Sequence, residues 1–255
     1  MNRTPPVAVR NQLRREVGFG CPVPGCGNPY LNWHHFDPPW REHEHHDPEG
    51  MIALCSEHHA KADAGAFTKE QLLNLKQQGA ERAVKVKGGF DWMRRDLLAV
   101  VGGNFYHETP VVFQFRGDRV IWFNRDDEGY LLLNVRMLTV SQEPRMTIED
   151  NFWLASGDPE SLECPPSGRL LEVKYPNGDT LKVEFFELDS AAAASTRYPG
   201  ARSEEWPVSF PLVAVEIRER VADTGIEFGP RETKLGGVVM RDCFFSRNAV
   251  GLAIG

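Results

Sequence analysis

Seven of the eight histidines lie between His34 and His59, and three of the five cysteines lie between Cys21 and Cys55. Such crowding points to metal binding, because a non-secreted chain with neighbouring Cys and His more often builds an ion site than a disulfide set. Two short-spaced pairs stand out: Cys21 and Cys26 in Cys-Pro-Val-Pro-Gly-Cys, and Cys55 and His58 in Cys-Ser-Glu-His. Together they offer three thiolates and one imidazole, a donor set that satisfies a closed tetrahedral Zn²⁺ site. Between the pairs stand His34 and His35, and immediately after the second comes His59, four residues before Asp63. Residues four apart share a helix face, so His34, His59 and Asp63 are expected to hold a second divalent ion with open positions. His35 is then placed to take a proton from water beside a metal-bound phosphodiester.

The elements around these residues follow from periodicity. Val9, Leu13 and Val17 share one face, with Pro6 at the start and Gly18 and Gly20 at the end, which predicts a helix over 6–17. Arg10, Arg14 and Arg15 fall off that stripe. Residues 21–50 are rich in Pro, Gly, His and charge and read as loop and short strand. Met51–Leu54 is a short apolar run. A helix is expected over 56–64, closed by Gly65. Another begins at Thr68, where Thr68-Lys69-Glu70-Gln71 has the spacing of a capping box. The loop Arg41–His46 reads as solvated polar chain.

Beyond residue 97, β-branched and aromatic runs alternate with turn residues. Leu170–Tyr175, Asn177-Gly178 and Leu181–Leu188 form the clearest hairpin pattern. The C-terminal stretch from Gly236 has the texture of a β-solenoid rung, without a fixed period, and a sandwich is the alternative. Cys164 and Cys243 read as buried small hydrophobes, Trp122, Trp153 and Trp206 as packing residues, and His107 has no assigned role. The expected fold class is α+β: a small N-terminal ββα-metal zinc finger domain (1–80), a linker (81–96), and a larger β-rich domain (97–255).

Composition bounds the rest. The chain has 255 residues with a net charge of −7, 41% hydrophobic and 25% charged, which excludes a disordered or collagen-like polymer. No apolar run reaches the ~18 residues of a membrane helix, and no secretory signal is visible at the start, so a cytoplasmic protein with no membrane partner is expected. There is no phosphate-binding glycine loop and no Gly-x-Ser-x-Gly elbow. The charge is uneven. Residues 1–101 carry 13 Lys and Arg against 12 Asp and Glu, and the remainder 16 against 24. A protein that coats DNA by bulk charge is excluded; one local cationic site is not.

The order from knuckle through His-His, apolar run and second knuckle to His-x-x-x-Asp resembles the HNH (ββα-metal) endonucleases, over about Val7 to Lys76. By that resemblance His34, His59 and Asp63 match the catalytic metal ligands, and His35 the general base. Cys21, Cys26, Cys55 and His58 match the structural zinc ligands. Gly50 stands where the family has an asparagine that braces the loop of the base histidine, and Asp47 or His46 are the candidates to replace it. The resemblance implies a metal-dependent DNA endonuclease hydrolysing phosphodiester bonds with one catalytic divalent ion, Mg²⁺, Mn²⁺ or Zn²⁺, beside the structural Zn²⁺. It also suggests a role in defence against foreign DNA. Arg14, Arg41 and Lys61 are the expected nucleic-acid contacts, and the β-rich domain is expected to meet a protein partner or regulator. The alternative is a catalytically decayed, zinc-stabilised module that binds nucleic acid or protein.

Overall fold

The structure is a computed structural model, and it describes residues 2–82 and 86–255. Residues 83–85, inside the expected linker, lie outside the described residues. The chain is α+β and mostly β, with several open sheets. It divides into two compact units: residues 1–88 with 161–168, and residues 89–160 with 169–255. The inclusion of 161–168 in the first unit has no signal in the local sequence pattern.

In the first unit, helix α1 (Val7–Glu16) starts after Pro6, whose fixed φ suits a helix start. It buries Leu13 completely. Strand β1 (Leu31–His35) pairs antiparallel with β2 (Met51–Cys55), with His34 opposite Ile52 and His35 opposite Met51. Helix α2 (Ser56–Asp63) follows β2 without an intervening residue, and Gly65 ends it at φ +79°. Helix α3 (Lys69–Arg82) opens with the capping box formed in both directions. Thr68 Oγ1 accepts from Gln71 N at 3.2 Å, and Thr68 N donates to Gln71 Oε1 at 2.8 Å. Met51, Ile52, Ala53 and Leu54 are fully buried and form the centre of a small core with Leu13, Val17 and Leu72. Lys76 reaches into this core, where its ammonium meets Glu16 and the carbonyls of Pro48 and Met51. A buried ammonium with three acceptors locks α3 to α1 and to the start of β2.

The second unit is built from two open sheets. One runs spatially through Val250–Ile254, Val111–Phe115, Asp118–Arg125, Leu131–Arg136, Thr147–Glu149 and Phe152–Leu154. The other runs through Leu170–Lys174, Thr180–Leu188, Leu212–Arg220, Ile226–Phe228, Thr233–Leu235 and Val238–Met240. Neighbours pair antiparallel except where Leu98–Val101 lies parallel to Leu212–Arg220 and where C-terminal segments return. Phe244–Ser246 lies parallel to Phe105–His107, and Val250–Ile254 to Val111–Phe115, with Tyr106 and Phe245 stacked at 4.8 Å. Trp122, Trp153 and Trp206 are buried, as is Cys164, whereas Cys243 is half-buried.

One buried acid of this unit is expected to leave a thermodynamic signature. Glu219 Oε1 accepts the Leu138 N–H at 2.6 Å, while Oε2 has no partner among the described residues. Burial raises the carboxyl to about 8. In the unfolded chain it titrates near ~4.3, so between these pH values the folded state keeps a proton that the unfolded state has lost. Stability from this group therefore falls as pH rises through that window and is flat above it. Glu219→Gln cannot ionise and keeps the acceptor for Leu138. Its advantage over wild type should grow by a few kcal/mol (about 1.4 per unit) between pH 5 and 8.5 in urea unfolding. An equal difference at both pH values would contradict the assignment.

Candidate metal centre

The loop before β1 is tightly folded on its own backbone. Cys21 N donates to Asn28 O at 2.9 Å, Cys26 N to Val23 O at 3.0 Å and Gly27 N to Cys21 O at 3.2 Å. Gly25 and Gly27 take positive φ, and a Cβ on Gly20 would stand 2.8 Å from Gly27 O. This turn accommodates the five-residue step from Cys21 to Cys26 and aims both sulfurs at the β2–α2 junction. There Cys55 ends the strand and His58 sits in the first helical turn. Cys21 Sγ and Cys55 Sγ lie 3.4 and 3.2 Å from His58 Nδ1, and Cys26 Sγ lies 3.8 Å from Cys55 Sγ. All four ligand atoms fall within 4.8 Å of one another. Around a tetrahedral ion with Zn–S of ~2.3 Å and Zn–N of ~2.0 Å, sulfur–sulfur and sulfur–nitrogen edges are about 3.8 and 3.6 Å. The group therefore has the dimensions of a zinc site and could hold a metal ion. Burial pushes the Cys21 thiol up to about 12 and raises that of Cys26, with mutual repulsion from Cys55 adding to both. Three thiolates gather here only around a cation, so metal binding must release protons.

The second group stands one residue further along α2. His34 Nδ1 is 3.1 Å from Asp63 Oδ1, and His59 Nδ1 is 3.3 Å from Asp63 Oδ2. The His34 and His59 rings meet edge to face at 5.4 Å. The three ligand atoms lie within 4.8 Å of one another. His59 Nε2 contacts Trp33 O at 3.2 Å. A carbonyl only accepts, so Nε2 carries the hydrogen and a neutral ring presents the Nδ1 lone pair to the carboxylate. His34 Nδ1 is buried, and its one near polar neighbour among the described residues is the Asp63 carboxylate. Two imidazole nitrogens and a carboxylate thus converge on one point, an arrangement that could hold a divalent cation.

Successive strand residues point to opposite faces. His34 accordingly faces α2, and His35 faces the loop that leaves β1. Its ring packs against Trp40 at 4.6 Å, His45 at 5.2 Å and His46 at 6.0 Å. Both His35 ring nitrogens are buried without a hydrogen-bond partner among the described residues. Burial, then repulsion from His45, His46 and Arg3, lowers it to about 4. The ring is therefore neutral at physiological pH, with a free lone pair. An orphaned buried polar group costs about 1–3 kcal/mol and is expected where a ligand completes the site. His34, His35 and Asp63 line a cavity of about 330 Å³ with Arg3, Trp40, Arg41 and Lys69.

The loop beside His35 is braced differently from the sequence expectation. A Cβ on Gly50 would stand 1.9 Å from the Asp37 carbonyl oxygen, so no side chain fits there. The Gly50 carbonyl instead accepts from Phe36 N at 2.9 Å and Asp37 N at 3.2 Å. Asp47 is engaged with Glu49 N, and His46 Nε2 with Asn2 O. His45 ties the loop across its base, accepting from Asp47 N at Nδ1 (3.1 Å) and contacting Pro38 O through Nε2 (2.9 Å). The expectation of a wholly solvated 41–46 loop is corrected accordingly, since His45 is buried. Its three histidines are too irregularly spaced in sequence to reveal which one turns inward.

Of the expected nucleic-acid contacts, Arg41 lies on the cavity and is exposed. Lys61 is exposed and pairs with Glu57 at 2.6 Å. Arg14 requires correction: it is 4% exposed, bonded to Glu163 Oε1 at 3.0 Å and set over the Trp33 ring. The residue that engages it, Glu163, lies 149 positions away, beyond any helical-face argument. His107 pairs with Asp96 at 2.8 Å. Arg3, one of the basic residues near the site in sequence, lines the cavity; Trp40 and His45 complete the site without a specific signal, because short-range spacing says nothing of a residue brought in by a loop. Comparisons with protein families, curated proteins and solved structures return no match.

Proposed function

We propose that the first unit is a metal-dependent endonuclease of the HNH kind, acting on DNA. The observation that carries this reading is the division of labour on α2. Adjacent residues His58 and His59 serve two different ligand groups, and an unpartnered histidine stands beside the second. A purely structural zinc knuckle needs only His58. His34, His59 and Asp63 hold the catalytic divalent ion, Mg²⁺, Mn²⁺ or Zn²⁺, which when bound polarises the phosphate and offsets charge on the departing oxygen. Cys21, Cys26, Cys55 and His58 hold the structural Zn²⁺.

His35 accepts a proton from water as the water oxygen forms its bond to phosphorus. The P–O ester bond breaks, its electron pair leaves with the ester oxygen, that oxygen takes a proton from solvent water, and His35 returns its proton to solvent. An anionic phosphate offsets the repulsion from Arg3 that adds to burial in keeping His35 neutral, so substrate binding raises the basicity of the ring. His45 holds the loop that boxes the ring, and Trp40 limits its rotation. The acidic β-rich unit is suited to a protein partner or regulator better than to phosphate.

A second reading, a decayed binding module, is favoured by Gly50 alone. The His45 brace weakens it, because the loop is held without an asparagine. The test is nicking of supercoiled plasmid by protein stripped of exchangeable ions, with Mg²⁺, Mn²⁺, Zn²⁺ or Ni²⁺ restored singly. Nicking should return with at least one ion. Retained zinc with no cleavage of any nucleic acid under any ion would sink the reading.

A further inference from the structure

We infer that residues 238–254 form the interface of a homodimer, in which this edge of the second unit meets the same edge of a second copy. The inference rests on the β-rich unit alone and is independent of the nuclease reading.

The C-terminal stretch is laid on an earlier stretch as one coil on another. Phe244 lies beside Phe105, Phe245 beside Tyr106 and Val250 beside Val111, all parallel. Contacts outside the strands keep the same register: Cys243 N donates to Asn104 Oδ1 and Arg247 Nε to Glu108 Oε2, each across 139 positions. The inner turn is buried at Asn104–His107 and Val111–Phe113. The outer turn is not. None of residues 234–255 is buried, and Val238, Val239 and Val250 are 63%, 51% and 37% exposed. Where stacked turns end in solvent, the outermost is normally polar.

The outer turn also leaves hydrogen-bonding groups open. Phe105 N donates to Cys243 O, and Arg247 N to His107 O. By strand alternation, Phe244 and Ser246 turn their N–H and C=O to the far side, where no strand pairs with them among the described residues. Val238–Met240 and Val250–Ile254 are the last strands of their sheets. Natural edges are blunted with charge or proline, yet 238–240, 244–246 and 250–254 carry neither.

Charge and size identify the occupant as a second copy. Residues 102–235 hold 14 Lys and Arg against 23 Asp and Glu, whereas 236–255 hold Arg241 and Arg247 against Asp242. Two copies of this acidic unit repel over most of their surface, but here each brings an apolar, slightly basic end toward the acidic body of the other. A specific interface takes about 20–30 residues a side, and the unburied stretch 234–255 is of that size. The inner strands Asn104–His107 and Val111–Phe115 are already paired on their other sides, by Leu98–Val101 and Asp118–Arg125. A copy therefore adds edge to edge about a two-fold axis, which closes the assembly at a dimer.

Sedimentation equilibrium of the zinc-loaded full chain, from micromolar to submillimolar concentration, should show reversible dimerisation. Val239→Lys and Val250→Lys each set two like charges against the two-fold and should raise the dimer Kd at least about tenfold. Both positions are exposed, so zinc content and thermal unfolding of the monomer should match wild type. Hydrogen exchange on wild type needs no variant: it should slow over 243–254 as concentration rises, with no change over Thr180–Leu188, a strand paired on both sides. A monomer at every concentration overturns the inference and leaves a strand of another protein as the occupant of the edge. A dimer whose Kd is the same in both variants, or whose exchange over 243–254 does not change with concentration, has its interface elsewhere and overturns it as well.

Discussion

Cys55→Ala should leave the protein with less than stoichiometric zinc and an unfolded first unit. Cys55 has three roles in one place. Its sulfur lies within 3.8 Å of Cys26 Sγ and 3.2 Å of His58 Nδ1. Its backbone ends β2 opposite Leu31, and it immediately precedes α2. Removing the sulfur leaves two thiols and one imidazole, which cannot close a tetrahedral site. Structural zinc contributes about 10–16 kcal/mol to small metal-stabilised domains, whereas a typical domain is stable by only ~5–15 kcal/mol. The core of the first unit is small, centred on four residues of β2 and a few from the flanking helices. Such a core rarely supplies more than ~3–5 kcal/mol without a staple, so loss of the ion exceeds what the remaining contacts can offset. Elemental analysis should find the zinc gone, and the melting profile of the full chain should lose its first-unit transition. Because His59 and Asp63 ride on α2, nicking should vanish as well. A variant that keeps one tightly held zinc and an unchanged melting profile contradicts the knuckle assignment.

The same helix explains why this region could be read from sequence. Short-range spacing encodes what lies within one or two turns. Cys55 with His58, His59 with Asp63, and Thr68 with Gln71 all meet as their separations require. The fully buried run Met51–Leu54 and the helices on either side follow from the apolar pattern. The mixed, mostly β character of the chain beyond residue 97 was equally accessible. What was not legible depends on long-range packing. Arg14 lies off the apolar stripe of α1, yet it is buried because Glu163 arrives from far along the chain to pair with it. Gly50 looked like a missing brace. It is glycine because the Asp37 carbonyl occupies the space a side chain would need, and the brace moved to His45. Phe244–Ser246 lies beside Phe105–His107 in a parallel register that no local motif announces.

His35→Ala is the second large expected effect and the most direct test of the whole account. His35 contributes no ligand atom to either metal group. Its ring nitrogens make no hydrogen bonds among the described residues. Truncation therefore removes no bond that holds the fold, and leaves a gap lined by Trp40, His45 and His46 that costs packing alone, on the order of 1–3 kcal/mol. General-base catalysis contributes typically ~10²–10⁴-fold, and nicking should fall by that much at saturating divalent ion. Zinc content and divalent-ion affinity should match wild type. The decisive measurement is the plasmid-nicking rate of His35→Ala against wild type, both zinc-loaded, folded and saturated with the most active ion. Wild type should nick vigorously, and the variant at least ~100-fold more slowly. Equal rates in the two proteins would contradict it.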